Sequence, residues 1–376
     1  MAGILIVTWD GGGNVPPALG IGAELSGRGH RVRVLGHPQQ RTAVTTAGLD
    51  FAAYTHAPPW NAVGATSGAR YAAAYLGLFS DPRPGADVRA ELGREPADLV
   101  LADAMSLGAL KGAQRAGAPT AVLAHTFHRY LTHGWARGPI GALATLRGLR
   151  PGRLWGAAQR VLVASDRALD PVDADRLPAN VRHTGPVQPA PRPVSRDAEP
   201  LVLVSLSTIH YPAQAQALQA ALDSLDGLDV RAVASTGAVE PAVLRVPPGV
   251  ELHRRIDHGE LMPRASLLIG HGGHATTMRA LAHDLPLLAL PLSPVVDQPM
   301  VGRAVADAGA GRTLPASATA EQVRDAVRTL LAAGPHRAAA AAVGARIRST
   351  DGAVRAADEI EAVLARTGAG RASDAP

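Results

Sequence analysis

Short, unbroken apolar runs recur along this chain, each followed by a glycine-rich or polar turn and then by residues at helical spacing. Residues 4–8, 31–35, 98–102, 119–124, 160–164 and 181–184 read as strands of a first half. Residues 201–205, 266–269 and 286–291 read as strands of a second. Runs such as 4–8 and 286–291 are apolar rather than alternating, the mark of strands buried on both faces in a parallel sheet. Between them, residues 15–26, 106–116, 275–282 and 321–331, and later segments to 364, predict helices. Asn14 predicts an N-cap for the first helix, with Pro16 tolerated in its opening turn. Residues 60–92 are irregular: Tyr71, Tyr75, Leu78 and Phe79 fall on one helical face, but Pro82 and Pro84 interrupt the chain. The tail from Gly368 reads as disordered.

The clearest break is Pro186-Val187-Gln188-Pro189-Ala190-Pro191-Arg192-Pro193, an extended stretch without apolar period. It sets a first domain at 1–185, a linker at 186–200, a second domain at 201–350, and a C-terminal helix and tail at 351–376. Two α/β halves joined in this way fit two facing Rossmann-like domains with a cleft between them.

Composition narrows the function classes. With 376 residues and 47% hydrophobic positions the chain can build sizeable cores. It has no cysteine, so neither a disulfide framework nor a zinc–cysteine site is expected. The first residues lack the pattern of a signal peptide, and the longest apolar candidate, around 285–296, is cut by Pro286, Pro291 and Pro294. A cytoplasmic protein without stable membrane insertion is expected. The net charge of +5 comes from scattered arginines, with Lys111 the only lysine, and no basic stripe of the kind that binds nucleic acid. A homodimer is admissible. Of twelve aromatics (four Trp, five Tyr, three Phe), only Tyr211 lies after the linker. That asymmetry fits core packing, or a first half that cradles a flat or apolar ligand.

The chemistry concentrates in Ile269-Gly270-His271-Gly272-Gly273-His274-Ala275-Thr276-Thr277. A strand enters, glycines turn the chain, and a helix starts. The free N–H groups and positive end of such a helix suit a phosphate. Gly272 and Gly273 let backbone approach a ligand, while His271, Thr276 and Thr277 add donors. In the first half, Gly11-Gly12-Gly13 follows the first strand but does not match G-x-G-x-x-G, which argues against NAD. His271 and His274, and the group His125, His128 and His133, have no carboxylate or cysteine spaced with them for a metal.

The HGG-x-x-T-T stretch, the following Leu-Pro strand and the downstream Asp297-Gln298 pair resemble the donor-sugar signature of the UDP-glycosyltransferase family, closest to actinomycete natural-product glycosyltransferases. The first β-α-β unit, ending in Arg28-Gly29-His30, also resembles that family. The resemblance implies a GT-B fold and transfer of a sugar from a TDP- or UDP-sugar to a small apolar or aromatic acceptor bound by the N-terminal half. Transfer would be inverting, O- or C-linked, with no catalytic metal and no cofactor beyond the nucleotide-sugar co-substrate. By resemblance, Asp297 and Gln298 meet sugar hydroxyls, Ser207 and Thr208 form a second phosphate-facing loop, and Ile256 lies where the nucleotide base is held. One departure matters. The family places its catalytic histidine at the first helix start, where this chain has Asn14, and Asp103 resembles the carboxylate that orients that histidine. With the histidine gone, Asp10, Asp103 and His125 are the candidate bases, in that order, and Asp103 is free to face the acceptor. A silent helper protein and a nucleotide-sugar epimerase are the rival readings.

Overall fold

The computed structural model describes residues 1–60, 68–188, 191, 193–196 and 199–373, with side chains except at 68–72, 174 and 368–373. Two compact units form: one closes at Gln188 and takes the chain back from Thr350, and the other ends at Ser349. Linker residues 189, 190, 192, 197 and 198 and the side chain of Tyr71 lie outside the described residues.

The first unit is a seven-stranded sheet of β1 (Gly3–Val7), β2 (Arg31–Gly36), β3 (Asp50–Ala53), β4 (Leu99–Asp103), β5 (Thr120–Ala124), β6 (Arg160–Val163) and β7 (Val181–His183). Their order is β3-β2-β1-β4-β5-β6-β7, and every pairing is parallel. β1, β4 and β5 are buried at every residue, as strands covered on both faces must be. Helices α1 (Val15–Gly27), α2 (Arg41–Thr46), α3 (Gly68–Ser80), α4 (Pro84–Arg94), α5 (Leu107–Arg115), α6 (Pro139–Leu146) and α7 (Pro151–Gly156) complete this stretch. The irregular reading of 60–92 is therefore corrected. Two helices occupy most of it, and Pro84 stands in the first turn of α4, where a missing N–H costs nothing.

The final helix, Gly352–Ser373, also belongs to this unit. Its Ala356, Ala357, Ile360 and Val363 join Ile21 and Leu25 of α1 and Ile4 and Ile6 of β1 in one core. Arg28 pairs with Asp358 and Glu361, each at 2.7 Å, along the seam. The tail read as disordered from Gly368 is helical through Ser373: it continues a helix anchored by packing, although Gly368 and Gly370 are poor helix formers.

The second unit holds β8 (Leu201–Ser205), β9 (Arg231–Ser235), β10 (Val250–His253), β11 (Leu267–Gly270), β12 (Leu287–Ala289) and β13 (Gly311–Thr313) in the order β10-β9-β8-β11-β12-β13. These pairings are parallel too. Its helices are α8 (Gln214–Leu225), α9 (His258–Leu261), α10 (His274–Ala282), α11 (Gln298–Asp307), α12 (Ala320–Leu331) and α13 (Pro335–Arg348). Leu218 and Leu222 of α8 and Val323 and Val327 of α12 pack with Val202, Val204 and Ile269 of the sheet. Among the described residues no helix is long and apolar enough to cross a membrane.

In each sheet the strand order reverses once, between β1 and β4 and between β8 and β11. Loops diverge at such a switch point and leave a crevice beyond the carboxyl ends of the strands. The two groups of chemistry-bearing residues sit there.

Candidate functional site

In the second unit, the register of β11 with β8 sets Gly270 beside Ser205, so the turns after these strands leave the sheet together. Gly272 has φ +77°, and a Cβ there would stand 2.8 Å from the carbonyl oxygen of Gln298. Only glycine meets both demands. Gly273 is the N-cap of α10 and offers no side-chain cap, and no acidic residue stands in the first turn. The helix start keeps its positive end, against which an anion is stabilised. The His271 ring folds over Gly273, where a Cβ would collide with Nε2. Its Nδ1 is buried and makes no hydrogen bond, a costly state unless a ligand completes it.

Opposite, the turn after β8 is built by side chains. Ser207 Oγ accepts the Ile209 N–H at 3.0 Å, and Gln214 Nε2 of α8 donates to the Ser207 carbonyl at 2.5 Å. Thr208 beside it is exposed. Below lies a chain of hydroxyls and imidazole: Ser235 Oγ donates to Ser205 Oγ at 3.1 Å, and His258 Nε2 lies 3.0 Å from the same oxygen. Sequence reading missed Gln214, Ser205 and His258. Ser205 and His258 are 53 positions apart and no local motif joins them.

Ile256 is half-buried between β10 and α9, and Thr276 is half-buried on α10, while Thr277 is 1% exposed. Asp297 is half-buried at the N-cap of α11 without capping it. Gln298 is buried, and its Oε1 accepts the Leu292 N–H at 2.7 Å, so its oxygen is engaged in shaping the loop.

In the first unit the reversal between β1 and β4 gathers Trp9, Asp10, Asn14, Asp103 and His125. Asp103 ends β4 with its side chain 1% exposed. Its Oδ1 accepts from Trp9 Nε1 at 3.1 Å and from the Met105 N–H at 2.9 Å, and its Oδ2 lies 2.7 Å from His125 Nδ1. The expectation that Asp103 faces the acceptor is corrected: both oxygens are engaged inside the fold.

Asn14 is corrected as well. It stands at the N-cap position of α1 with helical dihedrals and no capping bond. Its amide turns inward, donating to Thr8 Oγ1 at 3.1 Å and the Trp9 carbonyl at 2.8 Å, and accepting from the Gly11 N–H at 3.1 Å. It stitches the glycine loop to the end of β1. Asp10 is half-buried, and desolvation raises its carboxyl above the usual range. Its carbonyl accepts from Trp60 Nε1 at 2.6 Å.

The aromatics meet in the same place. Trp9 packs edge-on against Phe79 at 4.7 Å and Trp60 at 6.4 Å, and Phe79 contacts Tyr75 at 4.7 Å and Trp135 at 5.8 Å. Trp9 also faces the His125 ring edge-on at 6.3 Å. The core-packing reading of the aromatic asymmetry holds for most of these rings, which are buried, while Tyr75 is half-buried. His128 and His133 do not join His125. The His128 backbone N–H donates to Asp170, and His133 pairs with Arg129. Among the described residues no group of three His, Asp or Glu could hold a metal.

Three imidazoles are expected to make the fold acid-sensitive. Burial is the leading cause that pulls His37, His258 and His271 each from 6.5 down to about 4. For His258 the charge of Arg279 acts in the same direction, as does His258 for His271, where the Leu206 backbone opposes. The folded values lie below the unfolded ones, so the unfolded chain binds more protons. Their contribution to stability is full above about pH 6.5 and is lost as pH falls from there towards about 4. The melting temperature is expected to be level above that window and to drop within it, and His37→Gln is expected to lessen the drop. A level melting temperature across the window would contradict it.

Comparison with known proteins follows the same lines. Residues 219–362 match the model of the Erythromycin biosynthesis protein CIII-like, C-terminal domain. The chain is 27% identical to 4'-demethylrebeccamycin synthase of Lentzea aerocolonigenes, covering 96% of this chain and 100% of that one. The crystal structure of the glycotransferase of kitacinnamycin superposes with a TM-score of 0.79 at 25% identity, covering 96% of this chain and 99% of that one. Glycosyltransferase VinC, solved in complex with DTDP, superposes at 0.73 with 17% identity, covering 97% of this chain and 100% of that one.

Proposed function

We propose that this chain, a GT-B glycosyltransferase of the UDP-glycosyltransferase family and of the antibiotic-biosynthesis type, moves one sugar from a TDP- or UDP-sugar to a small apolar or aromatic natural-product acceptor. The observation that carries the donor reading is the His271-Gly272-Gly273 turn. It leads into an uncapped helix at the switch point of a parallel sheet, with a buried imidazole nitrogen left without a hydrogen bond. Transfer develops negative charge on the departing diphosphate, and fixed N–H donors at a helix start stabilise such charge without reorganising. The complex of VinC with DTDP, a protein of the same fold, supports a thymidine diphosphate leaving group. The aromatic cluster at the carboxyl end of the first sheet supports a flat or apolar acceptor there. A single in-line displacement of this kind inverts the anomeric carbon and calls on no metal or cofactor.

Asp297 is assigned to the sugar hydroxyls, with the Gln298 amide N–H group as its companion. Asp297→Ala is then expected to weaken binding of TDP-glucose or UDP-glucose by about 10- to 100-fold, the loss of a charge-assisted hydrogen bond. Affinity for the free nucleoside diphosphate is expected to stay within about twofold, because Asp297 would touch only the sugar. Calorimetric titration with both ligands reads the difference. Equal losses for both would remove the sugar assignment.

A further inference from the structure

We propose that His125 is the general base that takes the acceptor's proton, held in place by Asp103; this rests on the transfer reading above. The family's histidine position is filled by Asn14, which is 1% exposed, has both ends of its amide bonded to the loop, and carries no basic atom. Asp103 is buried with both oxygens engaged, and so acts through another group. His125 sits just past the end of β5, the strand paired to β4, with its side chain 12% exposed. Its Nδ1 lies 2.7 Å from the Asp103 carboxylate, an acceptor only, so Nδ1 carries the hydrogen and Nε2 carries the lone pair. Trp9 closes one side of the ring and donates to the other carboxylate oxygen, which fixes Asp103 in turn. An imidazole oriented by a buried carboxylate, with its second nitrogen left as acceptor, is the arrangement of a general base.

The step balances with these groups. The acceptor oxygen bonds to the anomeric carbon of the sugar while its proton passes to His125 Nε2. The bond from that carbon to the diphosphate oxygen breaks, and the nucleoside diphosphate leaves with the electron pair. The imidazolium is stabilised by Asp103 and returns its proton to solvent after product release. Asp103 is thus a positioning residue and His125 the catalytic one.

The test uses the full chain, TDP-glucose and UDP-glucose as donors, and 4-methylumbelliferone and water as acceptors. Nucleoside diphosphate release gives the rate, and calorimetry with TDP and UDP gives binding. His125→Ala is expected to lose about 10²- to 10⁴-fold in kcat/KM with nucleoside diphosphate affinity unchanged, and to regain rate with added imidazole. In Asp103→Asn the amide donates to Nδ1, reverses the tautomer and removes the anion. Its kcat is expected to fall while TDP affinity holds, with the acid limb of the pH profile displaced. Imidazole nitrogen NMR of the wild type is expected to place the hydrogen on Nδ1 of His125, whichever donor the enzyme prefers.

Three results would overturn the assignment: transfer within a few-fold of wild type in a folded His125→Ala protein, loss of transfer in Asp10→Asn while His125→Ala retains it, or a hydrogen on Nε2. A wild type that binds neither TDP nor UDP would strike the donor reading instead, and the NMR result would still decide the dyad.

Discussion

Trp9→Ala is expected to destabilise the first unit by about 3–5 kcal/mol, the range for emptying a buried large aromatic. Trp9 is 6% exposed and meets Phe79, Trp60 and His125 edge-on. Its truncation opens a cavity in the aromatic cluster and leaves Asp103 Oδ1 with one of its two donors. The loss therefore combines lost packing with a weakened buried carboxylate. Trp9→Phe separates the two, keeping most of the packing and removing only the N–H, for an expected loss of about 1.5–3 kcal/mol. Urea unfolding followed by far-ultraviolet circular dichroism measures both, with the first-unit transition moving to lower urea. An unchanged midpoint in Trp9→Ala would mean that the ring is not part of the core. Because Trp9 also holds Asp103, whatever Trp9→Phe protein remains folded is expected to turn over more slowly.

His271→Ala is expected to bind TDP and UDP about 10- to 100-fold more weakly than wild type, the loss of one charge-assisted hydrogen bond. The ring stands over Gly273 at the start of α10, in the place where a diphosphate would meet the helix end. In the unliganded fold burial keeps it neutral, with its pKa near 4. At neutral pH the ring therefore meets an arriving diphosphate as a neutral hydrogen-bond donor. His271→Gln retains a donor and is expected to recover part of the affinity, whereas Gly273→Ala displaces the ring and is expected to lose affinity with the histidine still present. Calorimetry at constant salt reads all three. Wild-type affinity in His271→Ala would place the diphosphate elsewhere in the second unit.

Legibility followed the distance over which residues act. Strands such as Leu201–Ser205 and Leu99–Asp103 were readable because burial on both faces demands an apolar run. The turn at His271 was readable because glycines, imidazole and helix start are contiguous in the chain. The partners of Asp103 were not: His125 is 22 positions away and Trp9 is 94, joined only by the register of neighbouring strands. Ser205 and His258 were hidden for the same reason. Asn14 misled because the cap position and the cap bond are separate things. Its amide found nearer partners in a loop bent back on β1, which no propensity encodes. Helices α3 and α4 were obscured by alanine, glycine and proline, whose small or rigid side chains blur the apolar period. The final helix carries the apolar residues to complete the first core, but nothing local in its sequence says which core it joins.

The central claim, sugar transfer from a nucleotide-diphosphate donor, is tested most directly by mass spectrometry of one reaction. Purified protein is mixed with TDP- and UDP-sugars and a set of phenolic and polyketide-like acceptors. Predicted is an acceptor product heavier by one glycosyl residue, with one free nucleoside diphosphate formed for each. Donor that is bound but returned intact, or returned only as its stereoisomer with no nucleoside diphosphate released, would contradict it.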